Sequence, residues 1–332
     1  MKLGRIKRQG LDGDEARLVL VMPEAGQVLD LRVAYAELLT TGKATPEAAR
    51  RVAAAMFTGS MREGISAGAA FLDIAADVAA KTPEAAILPM DGLEWLPATD
   101  PSVIRDGLTF IDHIKGFHEK MGKTPTPSLL KVPGYFKGTV HTMVGHDADI
   151  PWPAFVDHMD YELELGWVIG SRGSDLTPET ARQHLFGVTI FNDVSARDRQ
   201  GDEFDIGMGP QKCKDFAYAV GPWITTLDEF DDLSAIPMEV RVNGEVWGKG
   251  TSSNTLWSVD ELLAYISLAE QLEPGDVIGS GTMGNGSALE LGRKMTPGDV
   301  VEMEVGNIGV LRNRFAAKQA PGWWPENRKP FM

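Results

Sequence analysis

Glu162 and Glu164 alternate with Tyr161, Leu163 and Leu165, so an extended chain would project both carboxylates from one face and the apolar side chains from the other. An isolated Glu-x-Glu is ordinarily a solvated strand face, because exposed acids are the rule. Here a third carboxylate, Asp193, follows at the end of the next strand-like run, Val188 to Phe191. Carboxylates forced together are costly unless they share a proton or a cation. No His or Cys stands at metal-binding spacing beside these oxygens, which points to a hard divalent cation: Mg2+ first, with Mn2+ or Ca2+ as alternatives, and away from zinc. Asp106 and His113 lie seven positions apart within Ser102 to Lys120, whose mixed helical spacing predicts a helix carrying both on nearly one face.

Such residues need a scaffold, and from Tyr161 onward the pattern is one of strands and Gly/Pro turns. Strands are predicted at Tyr161 to Ile169, Gly187 to Phe191, Ala217 to Thr226 and Met238 to Val246, the last closed as a hairpin at Asn243-Gly244. The capping box Ser258-Val259-Asp260-Glu261 announces one helix, and Pro-Gly-Asp turns at Pro274 and Pro297 each feed a Val-rich strand. Upstream lies a smaller unit, with extended runs at Ala16 to Met22 and Gln27 to Val33 and helices opening at Thr45-Pro46 and near Ser66. A Pro-containing stretch from Leu88-Pro89 to Pro101 marks a boundary. The expected organisation is residues 1–95 as a small N-terminal domain, 96–316 as a catalytic domain and 317–332 as a tail, whose Trp323 and Trp324 would pack along the surface or against another subunit. The Gly-containing segment Gly122 to Pro153 reads as a mobile lid with Gly134, Gly138 and Gly145 as hinges.

Composition narrows the classes of function. A net charge of -15, from 47 acidic and 32 basic residues without a Lys/Arg block, removes the attraction that nucleic acid or an anionic membrane requires. The single cysteine, Cys213, cannot form an internal disulfide, the N-terminus is polar, and no uncharged apolar run reaches membrane-spanning length. A soluble protein of the cytoplasm is expected, long enough for one large core and one small one.

The motifs Asp160-Tyr-Glu-Leu-Glu-Leu, Phe191-Asn-Asp-Val-Ser-Ala-Arg-Asp-Arg-Gln, Lys214-Asp-Phe with Gly221-Pro-Trp, Gly279-Ser-Gly-Thr and Gly309-Val-Leu-Arg-Asn resemble the fumarylacetoacetate hydrolase family in order, spacing and identity across residues 100–315. The resemblance implies an α+β, mainly β fold, in which a C-terminal domain rolls β-sheets around a metal site and a small mixed α/β domain precedes it, usually as a homodimer. It implies that Glu162, Glu164 and Asp193 bind the metal with Asp106 as a fourth ligand, although Asp106 reads equally as a helix-surface acid. It makes His113 the catalytic histidine and Glu290 its partner, with Lys214 stabilising an enolate oxygen. It sets Tyr135, Gln200 and Thr282 on the substrate's oxygens, with Arg197 beside them or bracing the site. Two departures separate the native substrate from fumarylacetoacetate: Gly122, between Lys120 and Lys123, replaces an arginine that follows the histidine, and Phe204 replaces a tyrosine. The activity implied is metal-dependent hydrolysis of a carbon–carbon bond in a small carbonyl acid, a β-diketone acid or acylpyruvate, in catabolism of aromatic or related compounds. Isomerisation, decarboxylation or dehydration of a related acid is the alternative, and a metabolite-binding homologue without turnover is the non-enzymatic one.

Overall fold

The structure, a computed structural model, describes residues 1–10 and 13–329. The N-terminal segment forms β1 (Lys2–Gly10), β2 (Gly13–Met22), β3 (Gln27–Asp30), α1 (Leu31–Thr41), α2 (Pro46–Met56), α3 (Met61–Ser66), α4 (Ala69–Lys81), β4 (Ile87–Pro89) and β5 (Glu94–Trp95). The run Gln27 to Val33 is not extended throughout. The Asp30 carboxylate accepts hydrogen bonds from the backbone of Arg32 and Val33, so it ends β3 and caps α1 in one residue. Thr45 caps α2 with Pro46 in its first turn, as the sequence predicts, whereas the helix expected near Ser66 is two helices divided at Ala67-Gly68.

Downstream follow β6 (Ile104–Leu108), α5 (Ile111–Lys120), β7 (Gly134–Gly138), β8 (Met143–Val144), β9 (Asp149–Trp152), β10 (Met159–Asp160), β11 (Leu163–Ile169), α6 (Pro178–Ala181), β12 (Leu185–Asp193), β13 (Ser195–Ala196) and α7 (Arg197–Ile206). The chain ends with β14 (Tyr218–Thr226), β15 (Pro237–Val242), β16 (Glu245–Thr251), α8 (Val259–Ile266), β17 (Val277–Gly279), β18 (Val300–Val305) and β19 (Gly309–Lys318). The single helix expected over Ser102 to Lys120 is a strand followed by a helix. Asp106 is paired with Gly279 of β17 on one side and Phe136 of β7 on the other, and pairing on both edges overrides a marginal local helical period. The predicted hairpin forms with Asn243 and Gly244 both at positive φ (52° and 80°), and the Ser258/Glu261 capping box closes on α8.

A 12-stranded sheet runs β4-β3-β2-β1-β14-β12-β11-β17-β6-β7, with β5 beside β1 and β8 beside β14. A five-stranded sheet runs β16-β15-β18-β19-β9, and β10 pairs with β13. Among the described residues no sheet closes, and strand, at about 34% of residues, exceeds helix at about 28%. The large sheet crosses the position between residues 95 and 96, because β1 pairs antiparallel with β14. Alternation along its strands feeds two cores: on β12, Ile190 belongs to the cluster that contains Trp167, Val240 and Met303, while its neighbour Phe191 belongs to the one that contains Phe57, Phe71 and Val78 of the N-terminal segment. Gly138 and Gly145 are sites of close approach, since a Cβ would lie 2.6 Å from Tyr218 Oη and 2.5 Å from the Trp95 carbonyl oxygen respectively. Among the described residues no helix is long and apolar enough to cross a membrane.

Candidate active site

Adjacent strands bring the acids together. Asp106 sits on β6, Glu164 on β11 and Asp193 at the end of β12, with Glu162 immediately before β11, and exposure of the four is 5% or less. One oxygen each from Asp106, Glu164 and Asp193 lies within 4.8 Å of the others. Gly279, on the strand between β6 and β11, leaves the room: a Cβ there would stand 2.3 Å from Asp106 Oδ1 and 2.7 Å from Glu164 Oε2. Burial, and then the charge of Glu164, hold Asp106 well above the usual carboxylate range; burial does the same for Glu164, with Asp106 opposing and Asp193 and Glu162 adding to the shift. Asp193 is raised by burial too, with Lys214 opposing the shift. Glu164 accepts from the Gly281 N–H (2.8 Å) and the Thr282 hydroxyl (3.1 Å), so Thr282 is committed to the floor of the pocket.

Two cations enter this cluster. The three N–H donors of Lys214 go to Glu162 Oε2, Asp193 Oδ2 and Ser195 Oγ, leaving none for a substrate oxygen in this arrangement. Arg197 donates to Glu162 Oε1 (2.8 Å), Asp160 Oδ2 (2.8 Å) and Gln200 Oε1 (3.2 Å), a bracing geometry. Burial opposes ionisation of Glu162, but Arg197 and then Lys214 outweigh it and hold this carboxyl far below its ordinary value. For Lys214, Asp193 and Glu162 outweigh burial in turn, so the ammonium stays charged. Four carboxylates face two cations, and Asp106 Oδ1 and Asp193 Oδ1 are buried without a hydrogen-bond partner. Unsatisfied carboxylate oxygens fit a hard divalent cation, which Asp106, Glu164 and Asp193 could hold. Glu162, whose oxygens are taken by Arg197, Lys214 and the approach of His113, stands beside that trio.

His113 lies in the first turn of α5 and is 4% exposed. Its Nδ1 is 2.9 Å from Glu290 Oε2, and its Nε2 is 3.7 Å from Glu162 Oε1. Glu290 is itself fixed, accepting from the Ser287 hydroxyl (2.8 Å) and the Asn285 N–H (3.1 Å). Asp160, which sequence reasoning left without a role, anchors this segment. Fully buried, it accepts from the backbone of Ala288 (2.9 Å) and Leu289 (3.1 Å) while holding Arg197. Its signal was an acid directly preceding the Glu-x-Glu pair, with an arginine in the next motif. The cavity above these groups, of about 360 Å3, is lined by all the residues singled out from sequence except Glu290, which stands behind His113. Half-buried Tyr135 on β7 and buried Gln200 on α7 form its sides, and Phe204 reaches its mouth.

A buried carboxylate cluster beside a histidine–glutamate pair, in a cleft of a β-rich fold, defines an enzyme-like site. A family profile described as fumarylacetoacetate (FAA) hydrolase C-terminal matches residues 102–316. An uncharacterized protein of Archaeoglobus fulgidus is 34% identical over 227 residues, covering 68% of this chain and 83% of that protein. The chain belongs to the fumarylacetoacetate hydrolase family, whose members include hydrolases and isomerases. The fumarylacetoacetate hydrolase of psychrophilic Exiguobacterium antarcticum superposes with a TM-score of 0.69 at 28% identity, over 96% of this chain and 99% of that one. Maleylpyruvate hydrolase from Sphingobium sp. SYK-6, solved in complex with manganese(II) ion and pyruvate, shares the fold with a TM-score of 0.67 at 20% identity, over 96% and 100% of the two chains.

Proposed function

We propose that the protein is a divalent-cation-dependent hydrolase that cleaves a carbon–carbon bond in a small β-diketone acid of the acylpyruvate type. The observation that carries this reading is the His113–Glu290 pair at 2.9 Å, with the other imidazole nitrogen turned toward the carboxylate floor. Cleaving such a bond with water requires a base to make the nucleophile and positive charge to stabilise the departing carbanion as an enolate. Glu290 accepts the Nδ1 proton and fixes the tautomer, which leaves Nε2 to take a proton from water as it attacks the substrate carbonyl carbon. The resulting imidazolium is stabilised by Glu290 behind it and by Glu162 in front. When the tetrahedral adduct collapses, the bonding pair leaves with the enolate fragment and His113 returns the proton to its carbon. Lys214, with its donors engaged, contributes positive charge through its field. A divalent cation held by Asp106, Glu164 and Asp193 would supply Lewis-acid stabilisation of negative charge on the substrate's oxygens. The manganese and pyruvate in the Sphingobium enzyme support a cation and a 2-oxo acid as occupants of this fold.

The test is turnover, with and without Mg2+ or Mn2+, on a panel of acylpyruvates, β-diketone acids, oxaloacetate and unsaturated hydroxydicarboxylates, with products identified. Cation-dependent appearance of two acids from an acylpyruvate is expected. Decarboxylation or isomerisation without cleavage would reject the hydrolase reading.

A further inference from the structure

Away from the floor the cavity changes character. Ile114, Phe117 and Met121 follow His113 at helical spacing and form one apolar stripe, which runs about 10 Å outward along the axis of α5. Leu129 and Phe204 line the same cavity from other segments. Exposure rises along this sleeve, from 6% at Ile114 through partly buried Phe117, Met121 and Leu129 to 41% at Phe204.

Of the lysine and arginine side chains of the cavity, the two buried ones are engaged and the third is exposed to solvent. Among the described residues lining it, these are Arg197, Lys214 and Lys123. Arg197 is spent on Asp160, Glu162 and Gln200, and Lys214 on Glu162, Asp193 and Ser195. Lys123, its side chain 54% exposed, lies 3.9 Å from the Asp205 carboxylate, itself 81% exposed and beyond hydrogen-bond reach. His118 keeps Nδ1 2.7 Å from the carbonyl oxygen of Ile114. A carboxylate at the far end of a substrate would therefore lie against hydrocarbon with only the solvent-exposed Lys123 to meet it, a pairing worth little in water against the cost of burying the charge.

Building on the function proposed above, we infer that the substrate is a monocarboxylate with an apolar acyl tail, which lies along Ile114, Phe117 and Met121 and is closed over by Leu129 and Phe204. The sleeve selects for tail length and against a second, distal carboxylate.

Calorimetric titration of the full-length protein in saturating Mg2+ with 2-oxo acids that carry no cleavable diketone tests this directly. The probes are 2-oxobutanoate, 2-oxohexanoate, 2-oxooctanoate, and 2-oxoadipate, which matches 2-oxohexanoate in length but ends in a carboxylate. Kd should fall about fourfold per added methylene, and 2-oxoadipate should bind about tenfold or more weakly than 2-oxohexanoate. Phe204→Ala should flatten the length series, and Lys123→Ala should leave the adipate-to-hexanoate ratio unchanged. A flat series, no binding by any of the acids, or a preference for 2-oxoadipate that disappears in Lys123→Ala would overturn the inference. Because none of these acids is cleaved, failed turnover on acylpyruvates would sink the hydrolase reading while leaving this test intact. A flat series alongside acylpyruvate cleavage would sink only the tail assignment.

Discussion

The strands beneath the pocket and the helix beside it handle charge in opposite ways. On β6, β11 and β12, Asp106, Glu164 and Asp193 are pressed together, and buried oxygens of Asp106 and Asp193 have no partner. On α5, His113 pairs with a glutamate that is itself held by Ser287 and Asn285, and the apolar stripe after it passes from buried Ile114 to half-buried Phe117 and Met121. The floor is thus strained without a cation, because strand register fixes where each acid points and leaves no freedom to turn away. The wall is satisfied as it stands. The two regions should therefore be separable: losing the histidine should cost chemistry, whereas disturbing the floor should cost cation binding.

The largest effect tests that separation from the wall. His113→Ala should lower turnover about a hundred- to ten-thousand-fold and leave cation affinity nearly intact, since Glu290 keeps its other partners. Steady-state kinetics together with a Mn2+ titration of the same variant measure both quantities. Equal loss of the two would mean that wall and floor act as one unit. From the floor, Gly279→Ala places a methyl 2.3 Å from Asp106 Oδ1, which should destabilise the protein by about 1–3 kcal/mol through overpacking. Its thermal midpoint should no longer rise on adding Mg2+ or Mn2+. An undiminished cation-induced rise would show that the acids do not need their present spacing.

A third prediction follows from the raised carboxyls of Asp106, Glu164 and Asp193. Their folded pKa values exceed the unfolded ones, so without a cation the folded state holds more protons. Stability of the cation-free protein should then fall as pH rises from the ordinary carboxylate range toward the raised values. A bound cation must displace those protons, and each proton released makes its affinity rise up to about tenfold per pH unit across the same window. Thermal unfolding at several pH values, with and without Mg2+, reads both trends. A cation-induced rise in midpoint that is independent of pH would mean that the floor is already ionised and not strained.

What was readable in the sequence divides along similar lines. Carboxylates on neighbouring strands show up as period-two spacing and as motifs at strand ends, so Glu162, Glu164 and Asp193 could be named from local pattern and resemblance. Asp106 and His113 read as one helix because seven residues is also two helical turns. The strand that carries Asp106 exists only because β17 and β7, far away in sequence, pair with it. For Asp160 only the pairing with Arg197 has a trace in side-chain type; its other partners, Ala288 and Leu289, are backbone groups 128 and 129 residues away and leave none. The engagement of Lys214 with three oxygens is likewise a matter of three-dimensional crowding, which a lone lysine in a motif cannot announce.

The smallest effect concerns a third side of the pocket, α7, which carries Arg197, Gln200 and Phe204. The tail reaches it: Trp324 stacks on Phe155 with ring centroids 5.0 Å apart, and the Arg199 guanidinium lies 4.9 Å from the Trp324 ring. Arg199 also donates to the Phe155 carbonyl oxygen (2.8 Å), so the tail, the loop before β10 and α7 are joined at one partly exposed point. At such a site a cation–π contact contributes about 0.5–1 kcal/mol. Trp324→Ala should therefore lower the thermal midpoint only slightly and raise KM about two- to threefold, with kcat unchanged, because the contacts of Trp324 are with Phe155 and Arg199 and not with the floor or His113. Trp324→Phe, which keeps a ring for Arg199 and Phe155, should restore most of the loss. A fall in kcat with KM unchanged would mean instead that α7 transmits the tail's position to the chemistry through Arg197 and Glu162, and the boundary between a satisfied wall and a strained floor would have to be redrawn to include that helix.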